Sequence, residues 1–193
     1  MESQNLLRRG LLLETLTLLW NVVGVGVVLW AVLRSGSVAL AGFGLDSLIE
    51  IGASTVVIWE LSGTGQKRQK RALRLIGAAF LALALYILAQ SLRSLLLHVH
   101  SETSLLGVVW LALTFGVMMI LAIGKHRTGT RLGNPVLLTE GRVTRVDAYL
   151  AASVLVGLVF NAAWGWWWAD PLAGLVIVVY GFKEGLHAWK EGA

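Results

Sequence analysis

Six apolar stretches, each about as long as the roughly 20 residues a helix needs to cross a bilayer, take up most of this chain. They run over 11–33, 37–61, 73–97, 104–123, 143–163 and 168–188. In hydrocarbon every backbone N–H and C=O must be satisfied within the spanning element, so such runs form helices. The expected fold is therefore all-α, an integral membrane bundle of six transmembrane helices forming a single domain over 1–193. The two longest connections, "GTGQKRQKR" and "GKHRTGTRLGNPVLLTEGR", carry the Gly, Pro and basic residues of loops. With 56% hydrophobic and 14% charged residues, an ordinary soluble domain is excluded. The opening run is too long for a cleaved signal peptide and lacks an A-x-A-like cleavage site, which makes it a retained first span.

Net charge is +5, but the basic residues fall between apolar runs, where they meet anionic lipid headgroups rather than nucleic acid. All but Arg34 and Arg93 of the 16 Lys and Arg residues lie on one side of the expected membrane, Lys125, Arg127, Arg131, Arg142 and Arg145 among them. The positive-inside rule then places both termini in the cytoplasm, in a multi-pass protein of the inner (cytoplasmic) membrane. Trp30, Trp110 and the "WGWWWAD" cluster fall at the outer interface, and Trp59 and Trp189 near the inner one, as an aromatic belt. There is no cysteine, so any metal must be held by oxygen or imidazole.

The run "GFGLDSLIEIGAS" places Asp46 and Glu50 in the middle of the second span. A carboxylate near the bilayer centre costs roughly 2.5–3.5 kcal/mol by insertion scales. Their i, i+4 spacing sets both on one helix face, where the pair must hold a proton or a cation. Asp147 lies 14 residues before Asn161, about 21 Å down its helix, and Glu50 lies at a similar depth in the second span. The three acids are the expected metal site. Oxygen ligation suits Mn²⁺, Mg²⁺ or Fe²⁺, with Zn²⁺ and Co²⁺ left open. The alternative for Asp147 is a solvated acid at a helix start beside Arg142 and Arg145.

The segment "SGSVALAGFGLDSLIEIGAS" resembles the second span of the cation diffusion facilitator (cation efflux) family, which carries a D-x-x-x-D pair, here Asp46 and Glu50. "WNVVGVGVVL" is similar to that family's first helix, with Asn21 at its asparagine. "VDAYLAASVLVGLVFNAAWGWWWADPLAGLVIVVY" resembles its last two spans. The resemblance implies proton-coupled efflux of a divalent cation. It also implies an H-x-x-x-D in the fifth span, whose acid is Asp147 but whose histidine position is Val143, which has no ligating atom. Glu14 and Asn21, seven residues apart on one face of the first span, are the additional site or pathway residues that stand in for it. Against this, Glu14 reads as a solvated interfacial acid and Asn21 as interhelical glue.

The family's cytoplasmic metal-binding domain has no counterpart before the chain stops at "HAWKEGA", so homodimerisation would use the spans. The alternative function is a non-transporting relative that acts as a membrane binding or scaffold protein. No nucleophile and base cluster suggests an enzyme, and no prosthetic cofactor is expected; the divalent cation is substrate, with protons and the lipid bilayer as partners. His98, His100 and Glu102 read as solvated outer loop or a weak landing site, Ser91 and Ser94 as helix bridges, and Asp170 as a cap on the sixth helix. Gly24, Gly26, Gly42, Gly44 and Gly52 are expected to draw the first two helices together.

Overall fold

Each apolar run forms one helix: α1 (Glu2–Ser35), α2 (Val38–Leu61), α3 (Gln66–Leu96), α4 (Leu105–Leu132), α5 (Pro135–Trp164) and α6 (Ala169–Glu191). The computed structural model describes residues 2–62, 66–100, 102 and 104–192. Helices α1 to α5 are long and apolar enough to cross a membrane; α6, with Asp170, Lys183 and Glu184, is less apolar. The chain is a multi-pass membrane protein built as an all-helical bundle.

The expected 124–142 loop does not exist. Helix α4 runs to Leu132 and α5 starts at Pro135, so Gly133 and Asn134 alone form a two-residue turn. Gly133 takes the left-handed conformation (φ 61°) that ends α4. The Asn134 side chain accepts a hydrogen bond from Leu137 N at 2.8 Å, and Pro135 occupies the first turn of α5, where a missing N–H costs nothing. The other expected loop, 63–71, is shorter too, because α3 already begins at Gln66; residues 63–65 and the side chains of residues 66–69, Lys67 and Arg68 among them, lie outside the described residues.

The bundle turns its apolar residues outward and its polar ones inward. Leu12, Leu16, Leu19, Val23, Leu113 and Ile120 are exposed, whereas Glu14, Thr17, Asn21, Thr114 and Lys125 on the same helices are buried. A lipid-facing surface explains that inversion. Helices α1, α2, α4 and α5 surround the buried polar residues, with α3 and α6 packed on each other and on α2. Close approach of α3 and α6 depends on Gly77, where a Cβ would lie 2.7 Å from Trp189 N and 2.8 Å from Gly185 O. Among the glycines expected at the α1–α2 contact, only Gly44 meets α1, at Val28; Gly24 faces Trp110 and Gly42 faces Ile87, and nothing lies near Gly26 or Gly52.

Two residues expected at the outer end join helices. Asp170 lies in the first turn of α6. It accepts hydrogen bonds from Ser37 Oγ and Ala39 N, which pins the start of α2 to the start of α6. Trp110 is half-buried and stacks on Trp20 at 4.8 Å, between α4 and α1. Trp30, Trp164, Trp166 and Trp168 remain exposed, as interfacial tryptophans would be. His98 and His100 are exposed and lie against Trp167, with centroids 5.0 and 5.4 Å away.

Candidate functional site

Asp46 and Glu50 project from one face of α2 into the bundle, and both are fully buried. Asp147 sits 12 residues into α5, about 18 Å from its start, and is 1% exposed. It is not the solvated helix-start acid of the alternative reading, because α5 begins more than two turns earlier than the apolar run does. Asp46 and Asp147 adjoin across the α2–α5 contact. Glu50, one turn along α2, interacts with Asp147 and also with Glu140, Lys125 and Glu14 on its other side. No N–H or alcohol group of the described residues donates to any of the six carboxyl oxygens of Asp46, Glu50 and Asp147, although Asp46 and Asp147 lie within hydrogen-bonding reach of each other. In this conformation the acids form a column. Among the described residues no three His, Asp or Glu side chains converge closely enough to hold one ion.

Beyond Glu50 lies a second polar layer, most of which sequence reasoning missed. Lys125 on α4 is fully buried, and its Nζ lies 3.0 Å from Glu14 Oε2, 3.3 Å from Glu140 Oε1 and 2.9 Å from Thr144 Oγ1. Ser54 on α2 adjoins Glu14. Glu14 is thus not a solvated interfacial acid: it is fully buried, because Lys125 turns inward to meet it. Lys125 and Glu140 were hidden in the sequence by the loop reading of 124–142. The one available signal was spacing, since Glu140 lies seven residues before Asp147 and Thr144 three, which sets all three on one side of α5.

Asn21 is buried, but its Nδ2 donates to Thr17 O at 3.1 Å within α1, so it is not interhelical glue in this conformation. Val143, at the position where the family resemblance implies histidine, is fully buried in an apolar cluster with Ala53, Val57, Ile76 and Phe80. The only oxygen-bearing side chains within one turn of it along α5 are those of Thr139, Glu140, Thr144 and Asp147.

Five carboxyl groups and one ammonium therefore share the interior of α1, α2, α4 and α5. The ammonium can balance one carboxylate. The other four must be met by protons or by a cation, because an uncompensated buried charge is too costly to persist.

Comparison with known proteins adds to this geometry. Residues 74–193 match the cation efflux transmembrane domain. The chain is 25% identical over 194 residues to transmembrane protein 163 of Xenopus laevis, covering 94% of this chain and 68% of that protein. It is 24% identical over 177 residues to a protein of Synechocystis sp. named as an uncharacterized transporter, covering 86% of this chain and 57% of that one. The chain thus spans about two thirds of one relative and little over half of the other.

Proposed function

The chain belongs to the cation efflux family, whose members are cation transporters and not enzymes, and we propose that it exports a divalent cation from the cytoplasm in exchange for protons. The observation that carries this is the column Asp46, Asp147 and Glu50, buried with no N–H or alcohol donor among the described residues to any of its oxygens. Such groups are stable only when protonated or holding a cation, and those two states are the two loads of an antiporter. A cation arriving from the cytoplasm displaces protons from the column and draws Glu50 towards the aspartate pair. Protons from outside then displace the cation when the helices tilt. Oxygen ligands favour Mn²⁺, Fe²⁺ or Mg²⁺ over softer ions. In this reading the protein sits in the cytoplasmic membrane. Arg9, Arg127 and Arg131, which line a cavity of about 450 Å³ beside His126, meet anionic headgroups there.

Purified protein in liposomes is expected to move Mn²⁺ when a proton gradient is imposed, and Asp46→Asn to lose that flux. Equal flux in the two proteins would reject the mechanism. The second reading, a non-transporting binding or scaffold protein, is favoured by the apolar surroundings of Val143. Calorimetry separates the two: Mn²⁺ binding that weakens at low pH and is lost in Glu50→Ala counts against a purely structural protein.

A further inference from the structure

Lys125, Glu14 and Glu140 play no part in the cation site proposed above, yet they form the tighter cluster. The Lys125 ammonium occupies the centre of an oxygen set drawn from two other helices: Glu14 Oε2 at 3.0 Å from α1, with Glu140 Oε1 at 3.3 Å and Thr144 Oγ1 at 2.9 Å from α5. All three charged side chains are fully buried. This is the environment of a bound cation, and here the cation is tethered. One positive charge does not match two carboxylates, and Glu14 Oε1 and Glu140 Oε2 receive no hydrogen bond from any described residue. Glu50 is also buried and without a donor among the described residues, and it interacts with both this cluster and Asp147. It links the two layers. Carboxylates with flanking hydroxyls from Thr144 and Ser54 are a donor set for a hard divalent ion.

We propose that Glu14, Glu140 and Thr144 constitute a second divalent-cation site, towards the cytoplasmic ends of α4 and α5, which the chain fills with its own Lys125 ammonium. Lys125 thereby limits the protein to one divalent ion where its carboxyls have room for two. This inference rests on the reading that the Asp46 column binds a divalent cation. A buried triad whose only task is to join α1, α4 and α5 would have the same distances but no capacity for an extra ion.

Equilibrium dialysis of the full chain in micelles against Mn²⁺ tests it. Wild type is expected to bind one ion per chain, Lys125→Met two, and Lys125→Arg one. Adding Glu14→Gln to Lys125→Met should return the count to one, and adding Asp46→Asn to Lys125→Met should also leave one, at the new site. If wild type binds none, the proposed function fails. If wild type and Lys125→Met both bind one, only the second site fails. Should Lys125→Met not survive purification, Lys125→Ala prepared in Mn²⁺ decides the matter through thermal unfolding. Mn²⁺ must then raise its unfolding temperature more than it raises that of wild type, and an equal or smaller rise overturns the proposal.

Discussion

Taking an ammonium out of water costs several kcal/mol even after relaxation, and only close partners with the right charge recover it. Lys125 has two carboxylates and a hydroxyl within 3.3 Å, so removing Glu14 takes away its nearest carboxylate and leaves Glu140 to balance it. Glu14→Ala is expected to destabilise the protein by about 1.5–3 kcal/mol, the range for a hydrogen bond to a charged group, because the counter-charge of Glu140 remains. Denaturant unfolding in micelles measures this. A second substitution probes the column: Val143→His puts an imidazole one turn from Asp147 on the same face. It is expected to shift preference from Mn²⁺ towards Zn²⁺, read by competition between the two ions. Unchanged preference would mean that position 143 does not face the site. The acid pair on α2 was legible in sequence because two carboxylates in an apolar run require protons or a cation to offset their burial. Lys125 was not, since a lysine at the end of an apolar run is ordinarily the first residue to reach the headgroups, and only partners far away in sequence, Glu14, Glu140 and Thr144, turn it inward.

At the level of elements, the helices were readable because lipid leaves the backbone no other option, while their ends were not. Gly133, Asn134 and Pro135 have the composition of a loop, but here the first two form the whole turn and Pro135 starts α5. Polar residues of α4 and α5 beyond the apolar run remain helical because the two helices pack on each other there. Asp170 illustrates the same limit: its place at the start of α6 shows in the sequence, whereas its bonds to the start of α2 do not. Asp170→Ala removes bonds to Ser37 Oγ and Ala39 N and is expected to cost about 1–3 kcal/mol, the range for a buried charged acceptor. Where α3 meets α6, the obstacle to a larger residue at Gly77 is backbone, at Trp189 N and Gly185 O, which cannot rotate aside. Gly77→Leu should therefore lower the unfolding temperature clearly, with a free-energy loss of about 1–3 kcal/mol or more, whereas Gly26→Leu, facing open space, should not.

For the whole molecule the decisive quantity is orientation, because export is a statement about which end of the column opens to which side. Burial of Lys125 takes one charge out of the positive-inside reckoning, yet Arg127, Arg131, Arg142 and Arg145 still lie on the side opposite Arg34 and Arg93. The asymmetry, and the cytoplasmic placement of the α4–α5 turn that it predicts, therefore persist. The absence of cysteine makes this directly measurable with single cysteines and a membrane-impermeant maleimide. His98 and Arg127 are both exposed but lie at opposite ends of the bundle. In intact cells stripped of any outer barrier, His98→Cys should label and Arg127→Cys should not; in inverted vesicles the pattern should reverse. Ser54→Cys, buried beside Glu14, tests the cycle itself. It should resist the reagent from both sides at rest, and react from the cytoplasmic side when saturating Mn²⁺ holds open the pathway by which the ion arrives. Labelling of Ser54→Cys from the outer side alone would mean that the second polar layer opens outward, and the direction of transport would have to be reversed.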